Sequence, residues 1–111
     1  MEVFLVLSTA GSEKEGRRIA RQMVKDRLAA CVNVVPGIWS LFFWEGKICE
    51  EGEVLILAKT KKRLRQKIIK KINELHSYTV PEIIFLRVAG GDKKYLTWVG
   101  KTIGKKNKKN Y

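Results

Sequence analysis

The chain has 111 residues and carries 23 Lys and Arg against 11 Asp and Glu, a formal net charge of +12. That length suits one domain, and an apolar content of 45% excludes a chain disordered throughout. No apolar run approaches the roughly 18 residues of a membrane helix, and two widely separated cysteines, Cys31 and Cys49, exclude a zinc ribbon and a disulfide scaffold.

Residues 3–8, Val-Phe-Leu-Val-Leu-Ser, form a nearly continuous apolar run, the pattern of a strand with both faces buried. Ser12 followed by Glu15 is a capping-box signature. Ile19, Ala20, Met23, Val24 and Leu28 then recur at helical spacing opposite Arg17, Arg18, Arg21 and Lys25, which predicts an amphipathic helix over 13–28. Residues 30–35 read as a strand punctuated by Pro36-Gly37, and 38–44 as further strand rich in aromatic and β-branched residues. Glu45-Gly46-Lys47 is a turn of hairpin length, and 53–59 a third strand.

Leu64, Ile68, Ile69, Ile72 and Leu75 mark one face of a helix over 61–75, with a basic cluster on the other. Pro81 closes a loop, 83–89 is the fourth strand, and Asp92 caps a last helix carrying Tyr95, Leu96, Trp98, Val99 and Ile103. The order β-α-β-β-α-β plus a terminal helix is the ferredoxin-like split βαβ arrangement of an α+β fold. Residues 1–103 make one domain, and 104–111 a basic tail expected to fray. Two helices cover one sheet face, so the other needs a cover that a chain this short lacks, and oligomerisation is expected.

Leu28-Ala29-Ala30-Cys31-Val32-Asn33, Pro36-Gly37, Ser40, Trp44-Glu45-Gly46-Lys47, Glu53 and Lys59-Thr60 together resemble the CutA family. Leu75-His76-Ser77-Tyr78, Pro81-Glu82-Ile83 and Tyr95-Leu96-Thr97-Trp98 extend the likeness over almost the whole chain. The resemblance implies a homotrimer built like the PII signalling proteins, a cytoplasmic location, divalent-cation tolerance and copper binding in some members. The opening Met1-Glu2-Val3-Phe4-Leu5 shows no secretion signal, in keeping with a cytoplasmic expectation.

Copper prefers imidazole and thiolate ligands. At the positions the family resemblance implies for copper, this chain has Ser8 and Leu75-His76, which leaves His76 as a metal ligand; the alternative is a residue interacting with the last carbonyls of its helix. Cys31 is the second metal candidate, its alternative a small buried hydrophobe. Asn33, Lys59, Tyr78, Glu82 and Tyr95 are ligand-pocket candidates at strand ends and loops, expected to converge on a cleft between subunits. Lys59 ends a buried strand and needs either Glu82 as a carboxylate partner or an anionic ligand. Trp39, Phe42, Trp44 and Trp98 are expected as core or interface aromatics. Glu50, Glu51 and Glu53 look solvated near the turn. Neither a GxxxxGK[ST] phosphate loop nor a GxSxG elbow is present, so a non-enzymatic role is expected. The competing reading is a polyanion-binding module using the basic 59–71 helix and the tail.

Overall fold

The computed structural model describes residues 2–104. Its elements are β1 (Val3–Ala10), α1 (Glu13–Lys25), β2 (Cys31–Trp44), β3 (Lys47–Lys61), a 3-10 turn (Lys62–Leu64), α2 (Arg65–Leu75), β4 (Ile83–Arg87) and α3 (Lys93–Thr102). The strands form one antiparallel sheet in the order β2-β3-β1-β4. The mixed α+β expectation is met, with differences at the boundaries. The separate strands expected over 30–35 and 38–44 are one strand, because Pro36-Gly37 is absorbed as a bulge between Val35 and Ile38. Proline cannot donate to the ladder and Gly37 has φ +77°, so the irregularity falls where both are tolerated. The third strand is far longer than 53–59, because a two-residue turn, Glu45-Gly46 with both φ positive, lets pairing run to Trp44 and Lys47. The helix expected from 61 starts with a 3-10 turn and becomes α-helical at Arg65.

The strand period of two sorts the sheet residues onto two faces. Phe4, Val6, Ser8 and Ala10 stand opposite Thr60, Ala58, Ile56 and Val54, and all eight are buried. This face packs against α1 and α2 through Ile19, Met23, Ile68 and Ile72, which are 0% exposed. Leu5, Leu7 and Thr9, with Lys59, Leu57 and Leu55 opposite, occupy the other face. Cys31, Asn33 and Val35 extend it on β2, and Ile84 and Leu86 on β4. Among the described residues neither α1 nor α2 covers it: Val35 is 40% exposed, and Ile84 and Leu86 are each 46% exposed. Val99 on α3 and Ile103 just after it join the core cluster that contains Val3, Leu28 and Leu64.

Trp39, Phe42, Trp44 and Trp98 are all exposed, which corrects the core half of their expectation. Trp39, Phe42 and Trp44 stand on the β2–β3 hairpin, which projects beyond α1 and α2, and Trp98 lies on α3. Of the expected tail, 105–111 lies outside the described residues. Gly104 is held: its N–H donates to the Arg27 carbonyl at 3.1 Å and its carbonyl accepts from Arg63 Nη2 at 3.0 Å.

Gly16 sets how closely α1 approaches the sheet. A Cβ built there would lie 2.7 Å from Val54 Cγ2 and 3.3 Å from Val34 Cγ1. Gly16→Ala gains up to about 1 kcal/mol of helix propensity but loses about 1–3 kcal/mol to overpacking. Overpacking wins, and urea unfolding should show a lower midpoint than the parent chain.

Candidate functional site

The candidate residues fall into two groups at opposite ends of the uncovered sheet face. The first gathers where β1 ends. The helix α2 stops at Leu75, and the His76 backbone turns extended, its N–H donating to the Ile72 carbonyl at 2.9 Å. The imidazole side chain is 0% exposed. Its Nε2–H donates to the Thr9 carbonyl at 2.7 Å, and Nδ1 accepts the Tyr78 N–H at 3.0 Å. An acceptor at one nitrogen and a donor at the other fix the neutral tautomer protonated at Nε2. His76 therefore ties β1 to the loop after α2. Its ring does not serve the last carbonyls of its own helix; Arg18 Nη2 reaches the Leu75 carbonyl instead, at 2.9 Å.

Beside it, Glu15 Oε2 accepts the Ser77 N–H at 2.7 Å, and Oε1 accepts the Ser77 hydroxyl at 3.1 Å. The Ser12 hydroxyl does cap α1, accepting the Glu15 N–H at 3.1 Å. The Glu15 side chain, however, serves Ser77 rather than completing the expected capping box. Burial opposes the charged carboxylate, but hydrogen bonds from the Ser77 backbone and side chain and the Gly11 backbone outweigh it and hold Glu15 below its ordinary 4.5.

Tyr78 donates its hydroxyl to Glu53 Oε2 at 2.7 Å, and its ring centroid lies 4.6 Å from that of His76. Burial first, then the bond to Glu53 and the charges of Glu53, Glu15 and Glu51, push the phenol well above its usual value. Glu53, expected in solvent, is 8% exposed. Its phase gives a reason: it continues the alternation of Leu57 and Leu55 onto the same sheet face. Tyr78 and Glu53 wall a groove of about 770 Å³ that also takes in Glu51, Glu82, Cys49, Phe42 and Trp44.

The second group lies at the other end of the face, where Cys31 and Leu5 flank Lys59. The Lys59 ammonium donates to Asn33 Oδ1 and to Cys31 Sγ, the latter at 3.8 Å. Tyr95 stacks at a tilt on Trp98 with 5.7 Å between centroids, and its phenol is pushed up by burial and by its contact with Cys31. The expected Lys59–Glu82 pair is corrected: Glu82 lines the groove, and Leu55, the partner of Thr9 there, is four residues along β3 from Lys59. That separates the two ends by roughly 13 Å. Within one chain, Tyr78 and Glu82 stand at one end of the face and Asn33, Lys59, Tyr95 and Cys31 at the other.

Copper does not fit the two residues expected to hold it. Both His76 ring nitrogens are engaged, so no lone pair is free for a metal. Cys31 lies beside the Lys59 ammonium, whose charge opposes a cation, and belongs to the other group. Among the described residues no group of three or more His, Cys, Asp or Glu side chains is arranged to hold a metal ion. Sequence reasoning missed Glu15, Glu53 and the Thr9 carbonyl, because each acts through a partner distant in the chain.

His76→Ala removes two buried hydrogen bonds and should cost about 2–4 kcal/mol in urea unfolding. Its effect on a copper(II) isotherm, measured on folded protein, should be negligible. Glu15 adds a pH dependence. Its folded-state pKa is depressed, so its contribution is full above about 4.5 and is lost as pH falls through the lower folded value. Glu15→Gln should therefore lose stability relative to the parent at pH 7, and the gap should narrow in melts below pH 4.

The sequence model of the family described as "CutA1 divalent ion tolerance protein" matches residues 4–102. A divalent-cation tolerance protein CutA from Thermus thermophilus is 44% identical over 100 residues, covering 90% of this chain and 97% of that protein. The CutA1 crystal structure from Oryza sativa superposes with a TM-score of 0.92 at 36% identity, covering 96% of this chain and 97% of that one. The cytoplasmic expectation is corrected by two further relatives. A CutA structure from Archaeoglobus fulgidus, 35% identical with a TM-score of 0.88 and covering 92% of this chain and 99% of that one, is described as periplasmic. An Arabidopsis thaliana CutA, 41% identical over 95 residues and covering 86% of this chain and 52% of that protein, is chloroplastic. Location thus varies among proteins of this fold and does not follow from the domain. The matched span covers the sheet and both site groups, and the chain belongs to the CutA1 family of divalent-cation tolerance proteins.

Proposed function

We propose that the chain acts as a non-enzymatic homotrimer that responds to divalent cations or a small ligand at clefts between subunits, in the manner of a PII-like signalling device. The observation that carries this reading is the uncovered sheet face. Leu5, Leu7, Leu55 and Leu57 lie half-buried there beside the more exposed Val35, Ile84 and Leu86. The hairpin adds Phe42 at 39% and Trp44 at 43% exposure to the same face. Monomeric proteins rarely expose contiguous apolar patches beyond a few hundred Å², and a cyclic trimer hides such a face while leaving no open sheet edge.

Both site groups lie at the ends of this face, so subunit association would bring them to the boundaries between copies. Ligand occupancy there would differ in free energy between subunit arrangements, which is what a signalling response requires. The groove carboxylates Glu51, Glu53 and Glu82 give the groove a negative potential that draws cations; within one chain they form no metal-holding cluster among the described residues, so a bound divalent cation would take further ligands from a second copy. Copper held through His76 and Cys31 is not part of the proposal.

Sedimentation equilibrium tests it. The expected mass is about 38 kDa, three copies of a 12.8 kDa chain, and Ile84→Asp with Leu86→Asp should lower it. A monomer at micromolar concentration would overturn the assembly. If the trimer holds, Mg²⁺ or Ca²⁺ should change the fluorescence of Trp44 in the groove and Glu82→Gln should weaken that change; no response to either ion removes the cation-sensing half of the reading.

A further inference from the structure

The helical face carries a charge arrangement that the sheet-face reading does not use. On α1 stand Lys14, Arg17, Arg18, Arg21 and Lys25; Lys67, Lys70 and Lys71 lie on α2. The two helices are neighbours on one side of the sheet, tied by Lys71 Nζ to Asp26 Oδ2 at 3.1 Å and by Arg18 to the Leu75 carbonyl. Those two contacts, with Asp26 just after α1 and Leu75 last in α2, make the helices antiparallel. The carboxylates nearby are already committed. Glu13 pairs with Arg17 at 2.6 Å, Asp26 and Glu74 with Lys71, and Glu15 with Ser77. Lys14, Arg21, Lys67 and Lys70 are exposed and have no carboxylate in ion-pair contact among the described residues. Glu45, Glu50, Glu51, Glu53 and Glu82 are found instead on the hairpin and around the groove. The molecule is therefore polarised, with unpaired cations on the α1–α2 layer and carboxylates on the hairpin and groove.

We infer that this layer is a docking surface for the phosphate backbone of duplex nucleic acid, bound without sequence preference. Three features select that partner. From Lys14 to Lys25 the strip runs about 16 Å at 1.5 Å per residue, the rise of about five base pairs. Neither α1 nor α2 contains an aromatic residue, so the surface has no platform on which unpaired bases would stack. Val24 is the one large apolar side chain of these helices left well exposed, too little to anchor in a lipid surface. What remains is a rigid pair of helices on which cations outnumber carboxylates, which suits phosphates positioned on a regular backbone.

The inference is independent of the cation-sensing reading, since it uses the opposite side of the sheet. The test is fluorescence anisotropy of the full chain with a labelled 20-base-pair DNA duplex, repeated with an RNA duplex, a single strand and phosphatidylglycerol vesicles. Four phosphate contacts predict a log–log salt slope of about −4 and a loss of about 100-fold in affinity between 50 and 200 mM salt. The triple variant Arg21→Glu, Lys67→Glu, Lys70→Glu should weaken duplex binding at least tenfold and flatten the slope by about three. A control with the same change in net charge, Lys47→Glu, Lys93→Glu, Lys94→Glu, should change it less than twofold. Equal loss in both triples, no duplex binding at 50 mM salt, or a preference for the single strand or the vesicles would each overturn the inference. Circular dichroism of both triples establishes that these exposed substitutions leave the fold intact.

Discussion

The structure depends on one mismatch: β1 and β3 carry side chains that avoid water on both faces, and the chain has helices enough to cover only one. On the covered side, Val6, Ser8, Ala10, Ile56 and Ala58 meet Ile19, Met23, Ile68 and Ile72 with almost no exposure. Burial of this kind contributes about 25 cal/mol per Å² and accounts for the two helices lying where they do. On the uncovered side the same alternation continues through Leu5, Leu7, Leu55 and Leu57, half-buried and with neither α1 nor α2 over them. Every functional feature on the sheet is placed by that mismatch. The groove and the Lys59 group are polar interruptions at the two ends of an apolar surface.

His76 illustrates how position decides role. A histidine after a helix can bind a metal, compensate the helix dipole, or clamp two segments. With Thr9 accepting at Nε2 and Tyr78 donating at Nδ1, it clamps. The clamp places Tyr78, whose hydroxyl then engages Glu53 and forms part of the groove wall. One buried imidazole thus connects the end of β1, the loop after α2 and a carboxylate on β3, and each of these polar groups is satisfied by the others. Ser8 is the exception in this region: its hydroxyl is buried and makes no hydrogen bond within the described residues. It lies on the covered face, opposite Ile56 and Ile83.

Charge and hydrophobicity are separated across the sheet. Acidic side chains concentrate on the hairpin and the groove, basic ones on the outer helices, and the uncovered apolar face lies on the side away from the basic layer. Association through the apolar face would leave the basic layer outward on every copy. A positive outer surface and a carboxylate-lined groove can then serve different ligands without competing for the same residues.

Much of this was legible in the sequence. The helical spacing of Ile19, Met23, Ile68 and Ile72, the Ser12 and Asp92 caps, the turn at Glu45-Gly46 and the alternation in 53–59 are local signals, and local signals survive without the fold. The fold order and an apolar face left uncovered followed from them. Strand length did not, because pairing partners rather than propensity extend β2 and β3 to the turn. The site was the least legible part. Residues Asn33, Lys59, Tyr78, Glu82 and Tyr95 were identifiable as polar groups in apolar surroundings, but sequence cannot say which of them meet. The antiparallel register decided that, setting Lys59 across from Cys31 and Leu5, four residues from the strand position that faces Thr9. Tertiary structure also decided the protonation pattern of His76 and the burial of Glu53, since both depend on partners more than twenty residues away. Periodicity and capping are properties of neighbours in the chain; a binding site is a property of neighbours in space.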